Sequence, residues 1–121
     1  MNFKQEWILH KDKQIRFIDY RNLNEEEMIE RLRASMSDYQ TVTTKILCLV
    51  DYSNSFISSK YFNILLSEGA AEIRKEKIEK TALIGLNLAK LAYLDIYKTL
   101  THDQRIRVFE RKEEALDWLA E

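Results

Sequence analysis

Residues 45–69 read KILCLVDYSNSFISSKYFNILLSEG. After Lys45 the run to Val50 is continuously apolar, and Asp51 closes it. A short run of this kind suits a strand covered on both faces, as in a parallel sheet, because one solvated face would demand alternation. A loop crowded with hydroxyls follows, and then apolar positions return at helical spacing. Phe62, Leu65, Leu66, Gly69 and Ile73 fall along one side of a helix that starts near Ser58 or Ser59. Arg74 and Lys75 suit the negative end of its dipole. A buried strand feeding a helix through a polar loop is one half of a strand–helix–strand crossover, so the flanks should repeat the pattern.

They do. Thr81 to Leu86, TALIGL, reads as another buried strand. Asn87 can cap a helix that carries Leu88, Leu91, Ala92, Ile96 and Leu100. Arg105 to Phe109 alternates basic and apolar residues and reads as a more exposed strand, and KEEALDWL, from Lys112 to Leu119, closes the chain as a helix. Upstream, Glu6 to Leu9 and Gln14 to Tyr20 are short β-like runs joined by His-Lys-Asp-Lys, a hairpin signature. Asn24 opens a helix, and Glu27 makes a capping box with it. Glu25, Glu26 and Glu27 place negative charge at the positive end of that helix. Met28, Leu32, Tyr39 and either Met36 or Ser35 mark its inner face. The order is β-β-α-β-α-β-α-β-α: an α/β fold with a mostly parallel central sheet covered by helices and one antiparallel hairpin pairing. No linker, repeat or low-complexity segment divides residues 1–121, so one domain is expected.

Composition bounds the function. With 45% hydrophobic and 32% charged residues the chain reads as globular. Lys and Arg total 19 against 20 Asp and Glu, which gives no electrostatic reason to expect nucleic acid or an anionic membrane. Cys48 is the sole cysteine, so no intrachain disulfide forms, and a lone thiol in an apolar strand fits a reducing compartment. The stretch MNFKQEWILHKDK lacks the form of a signal peptide, and no apolar run approaches membrane-spanning length. A cytoplasmic protein without membrane insertion is the expectation. Proline is absent and glycine occurs twice, at Gly69 and Gly85, so glycine-rich phosphate loops are excluded.

Three segments carry a family resemblance: LVDYSNSFISS (Leu49 to Ser59), TALIGL (Thr81 to Leu86) and RVFERKEEALDWL (Arg107 to Leu119). In their order and spacing the chain resembles the STAS domain of bacterial anti-sigma-factor antagonists, and more closely the SpoIIAA-like group of that superfamily. The resemblance implies a non-enzymatic interaction or regulatory module without a cofactor, docking a protein partner through the 58–75 and 88–100 helices and the 51–59 loop. It also implies that a serine at the start of the second helix can accept phosphate, and Ser58 and Ser59 stand near that position. Ile57 replaces the Asp of that pattern and Lys60 the Gly, so helix capping is the first expectation for these serines. A distant likeness to the SEC14-like lipid-binding fold implies an alternative, a carrier of a small apolar ligand or lipid.

Other candidates follow from position. Ligands of open α/β sheets bind beyond the carboxyl ends of the strands. Asp51, Tyr52, Asn54, Asn87 and Glu110 are therefore candidate cleft residues, though Asp and Asn also turn chains and cap helices. His10 and His102 are far apart and support neither a metal site nor a catalytic triad. Cys48 reads as a small buried hydrophobe. No nucleophile, base and oxyanion donor can be placed together, which speaks against an enzyme. The helix after Asn87 has apolar residues on more than one side, so an interface around Tyr93 and Tyr97, with another protein, a second copy or a lipid, is expected.

Overall fold

A computed structural model describes residues 6–121; the first residues of the stretch read above for a leader lie outside the described residues. Strand β1 (Glu6–His10) turns into β2 (Lys13–Asp19) through Lys11 and Asp12, both at positive φ of 49° and 64°. Two left-handed residues make the tight turn whose twist matches that of the strands it joins. Helix α1 (Glu25–Tyr39) follows, then β3 (Ile46–Asp51), α2 (Ser59–Leu66), α3 (Ala70–Lys77), β4 (Ile78–Ile84), α4 (Leu88–Thr101), β5 (Ile106–Val108) and α5 (Lys112–Ala120).

The strands stand in the order β1-β2-β3-β4-β5, antiparallel at β1–β2 and parallel at the other pairings. Right-handed crossovers between successive parallel neighbours put their helices on one face. On that face Ile18, Cys48, Val50, Leu83 and Ile106 pack with residues of α1, α2 and α4. The opposite face, with Ile15, Phe17, Leu49, Ala82 and Ile84, is covered by Ala115, Leu116 and Leu119 of α5. Strand β3 is thus apolar in both directions, as its unbroken run requires. Lys80 donates from its ammonium to the carbonyl of Trp118 at 3.0 Å and so holds the last turn of α5 against β4.

The inner face of α1 uses Ser35 rather than Met36: Met28, Ile29, Leu32, Ser35 and Tyr39 are its buried residues. The expected capping box is present, with Glu27 N–H donating to Asn24 Oδ1 at 2.9 Å and Asn24 N–H to Glu27 Oε1 at 3.0 Å.

Two expectations change. The helix expected over 58–75 is two helices, α2 and α3, broken at Ser67–Gly69. Glu68 and Gly69 take φ of 55° and 74°, and Gly69 becomes the N-cap of α3. The strand expected over 81–86 begins at Ile78 and stops at Ile84, because Gly85 turns to a φ of 78°. A side chain at Gly85 would lie 2.3 Å from Ser53 Oγ and 2.4 Å from its nitrogen. Only glycine lets the loop after β3 come this close to the end of β4.

A further feature of β2 was not expected. Arg16 is 2% exposed and forms an ion pair with Asp38 of α1, itself 9% exposed. Its guanidinium lies 4.3 Å from the centre of the Trp7 ring.

Candidate functional site

The carboxyl ends of β2, β3 and β4 come together at one edge of the sheet, and the loops leaving them are fastened to each other. Tyr20 N–H donates to the carbonyl of Asp51 and Tyr52 N–H to that of Ile84, both at 2.9 Å. Asp51 turns its carboxylate back to accept from Ser53 N–H at 2.9 Å, an Asx turn that bends the chain away from the strand. Ser55 Oγ donates to the carbonyl of Tyr52 at 2.7 Å. Asn22 and Asn54, each left-handed (φ of 61° and 53°), join through their side chains and through Asn22 N–H to the Asn54 carbonyl. Asparagine tolerates that conformation better than other residues with a Cβ.

These loops wall an open cleft of about 770 Å3. Asn24 and Asn87, which cap α1 and α4, both line it; Asn87 accepts from Lys90 N–H at 3.0 Å. Lys90 is buried at the base, and its ammonium donates to the carbonyls of Tyr52 at 2.7 Å and Gly85 at 3.3 Å. Burial pulls its pKa down, while Asp51 opposes that shift. Phe56 lies on the rim and is 75% exposed.

Of the residues expected in a cleft, Asn54 and Asn87 meet there. Asp51 sits behind it, engaged with Ser53 and 3.8 Å from Arg21. Arg21 also clamps Asp19 through its side chain, and that hydrogen bond lowers the Asp19 pKa. Tyr52 points inward, stacked on Tyr20 at 5.1 Å and edge-on to Tyr61. The Tyr52 and Tyr61 hydroxyls share a hydrogen bond of 2.9 Å, and burial pushes both phenols up. Glu110 is exposed beyond β5, the outermost strand, and does not line the cleft. Sequence reasoning missed Asn22, Phe56 and Lys90, which only the convergence of three loops brings to one place.

Ser58 caps α2: its Oγ accepts from Tyr61 N–H at 3.1 Å, and the residue is buried. Ser59 opens the helix with its side chain exposed. Tyr97 is 3% exposed and belongs to the core, and Tyr93 is half-buried with its ring centre 4.7 Å from that of Phe62. The apolar residues that α4 turns outward are instead Leu88, Ile96 and Leu100.

The remaining reactive groups are occupied or enclosed. Cys48 is fully buried and its thiol is pushed up to about 11 by burial. His10 bonds Asp117 at 2.7 Å and ties the hairpin turn to α5. His102 ends α4 in the left-handed conformation, donating its N–H to the Lys98 carbonyl. Among the described residues no group of His, Cys, Asp and Glu is arranged to hold a metal ion. None of the described helices is long and apolar enough to cross a membrane.

The architecture is that of known structures. The chain is similar to an anti-sigma-factor antagonist (STAS) domain protein from Planctomyces limnophilus, with a TM-score of 0.63 and 16% identity over 97% of this chain and 98% of that one. It is also similar to an uncharacterized protein from the DUF3478 family with a SpoIIAA-like fold from Shewanella loihica PV-4. There the TM-score is 0.64 and the identity 19%, over 96% and 92% of the two chains. No protein-family model and no curated protein matches the chain. The fold is therefore the SpoIIAA-like fold of STAS domains.

Proposed function

We propose that the chain is a non-enzymatic interaction or regulatory module that docks a protein partner through its carboxyl-edge face. The docking elements are the 51–59 loop, α2 with α3, and α4. Phe56 carries this reading. It is an exposed aromatic ring on a loop whose backbone is tied down on both sides. A rigid, exposed aromatic is the kind of side chain that anchors interfaces, because it brings large apolar area at little cost in entropy. Leu88, 86% exposed, follows Asn87 at the same cleft, and Ile96 and Leu100 continue outward along α4. Asn22, Asn24 and Asn54 supply polar groups around these apolar residues, which matches interface anatomy.

A fold neighbour named as an anti-sigma-factor antagonist domain protein supports a protein as the partner. The burial of Cys48 supports a non-catalytic role, since a nucleophilic thiol needs an exposed, electropositive setting. Of the two serines at α2, Ser59 presents its side chain to solvent, so regulation by phosphate would act there.

The test is affinity capture from the source cell with the wild type and with Phe56→Ser/Leu88→Ser, read by mass spectrometry. A partner held by the wild type and lost by the double variant is expected. Equal capture by both would overturn the reading. Sedimentation of the protein alone separates self-association from docking of a different protein.

A further inference from the structure

The two edges of the sheet are guarded differently. Strand β5 is three residues long and carries the exposed Arg107 at its centre. Shortness and charge are the usual means by which a sheet keeps an open edge from pairing. Strand β1 has neither. It is five residues long and pairs with β2 without a bulge. Its Trp7 and Leu9 are 44% and 66% exposed. The other large apolar side chains exposed among the described residues belong to the 51–59 loop and α4.

The outer backbone of β1 is also open. The turn through Lys11 and Asp12 closes on His10 and Lys13, which form the bond of the turn. Bonding alternates along an antiparallel pair, so Glu6, Ile8 and His10 face β2, and the N–H and C=O of Trp7 and Leu9 point away from it. Among the described residues none of these four groups has a hydrogen-bond partner. Side chains alternate too. Ile8 joins the cluster under α5, and His10 bonds Asp117 there. Trp7 lies on the α1 face with the Arg16 guanidinium against its ring, and Leu9 shares that face.

This edge is complementary to itself. Set antiparallel to its own copy with Ile8 at the centre, EWILH places Ile8 against Ile8, Trp7 against Leu9 and Glu6 against His10. Each apolar residue meets another, and such cross-strand pairs are what stabilise a sheet. Each Glu6 meets His10 and Lys11, two basic side chains that share the carboxylate of Asp117. The Trp7–Leu9 pairs become the hydrogen-bonded ones, which satisfies all four outward groups of each copy. Moving the centre by one residue shifts the pairing by two and spoils the match. Centred on Trp7, Ile8 meets Glu6; centred on Leu9, Trp7 meets Lys11 and Glu6 meets Asp12.

We propose that β1 pairs with β1 of a second copy of this chain, antiparallel about Ile8, and joins two five-stranded sheets into one of ten strands. The two-fold axis consumes the same edge on both copies, so the assembly closes as a dimer. The inference is independent of the docking reading, because β1 is not among the elements of the carboxyl-edge face.

Sedimentation equilibrium of the full chain over a concentration series, followed by cysteine cross-linking, is the experiment. The average mass should climb from the monomer value toward twice that value through the micromolar range. Leu9→Glu puts a charge on the edge at an exposed site, so the melting temperature should hold while the dimer dissociation constant rises about tenfold or more. Leu88→Ser, on the docking face, should leave the dimer unchanged. Ile8→Cys sets two thiols in a non-hydrogen-bonded pair with Cα atoms about 4.5 Å apart, within the span of a disulfide, and should link in oxidised glutathione. Leu9→Cys is more exposed but lies roughly 7–8 Å from its copy, so it should link several times more slowly. Cys48, fully buried, stays out of the exchange. Monomer alone at high micromolar concentration, a dimer that Leu9→Glu leaves intact or that Leu88→Ser dissolves, or Leu9→Cys linking as fast as Ile8→Cys would each overturn the proposal.

Discussion

Replacing Asp38 by Leu leaves Arg16 without its counter-charge, and the structure sets the size of the effect. Arg16 lies within the sheet, opposite Trp7 on one neighbouring strand and Cys48 on the other. The pair is 2% and 9% exposed, so water cannot take over from the lost carboxylate. Breaking a buried pair on one side costs ~3–5 kcal/mol. The Trp7 ring, which faces the guanidinium at 4.3 Å, returns part of that, so ~3 kcal/mol is expected. A chain of 121 residues has an unfolding entropy near 0.25 kcal/mol/K, at ~2.1 cal/mol/K per residue. The melting temperature should therefore fall by ~12 °C, read by circular dichroism. The double variant Arg16→Met/Asp38→Leu removes both charges and keeps the volume, and should return to within ~1 kcal/mol of wild type. A single variant within ~0.5 kcal/mol of wild type, or a double variant as unstable as the single, would refute the reasoning.

Ser58→Ala should cost ~1 kcal/mol in urea unfolding through loss of the α2 cap, while Ser59→Ala should stay within ~0.5 kcal/mol. The reverse order would place the cap at the wrong serine. Gly85→Ala should destabilise by at least ~1–2 kcal/mol for the left-handed backbone alone, and by more because the new methyl meets Ser53; a neutral result would mean that the 53–55 loop is not held where it is described. The Cys48 thiol, pushed up to about 11, should resist a disulfide probe at pH 8 in the folded protein and react fully in denaturant. Stability itself should be flat from the top of the carboxylate range, below which the lowered Asp19 pKa makes it fall with acid, up to about pH 9, and should fall again above that. There the unfolded chain releases protons from Cys48, Tyr20, Tyr52 and Tyr61 that the folded chain retains, which makes the slope negative. Stability that rises between pH 9 and 11 would contradict their burial.

Strand β3 was legible because an unbroken apolar run flanked by polar residues has few other homes, and its parallel neighbour TALIGL followed from the same signal. The capping box at Asn24 and Glu27 was legible because its chemistry is local. The break between α2 and α3 was not: Gly69 fits the spacing of the apolar stripe, and Glu68 carries no mark of its left-handed backbone. Lys80 and Glu79 hid the first half of β4 behind polar residues. The burial of Arg16 could not be read from β2, because alternation reports a face and not what covers it; Trp7 and Asp38 come from two other elements. Arg74 read as a partner for a helix dipole, and its place 5.7 Å from the Tyr97 ring comes only from the packing of α3. In the cleft, Asn54 and Asn87 could be found from the rule that loops at strand ends bind ligands, whereas Phe56 and Lys90 are placed there by the crossing of loops distant in sequence.

The central claim is that partners dock on the carboxyl-edge face. Hydrogen–deuterium exchange of the chain with its captured partner tests it most directly. The account predicts new protection confined to residues 51–77 and 86–101, centred on Phe56 and Leu88. Protection centred instead on α5 and the β1–β2 hairpin, with those two segments unchanged, would contradict it.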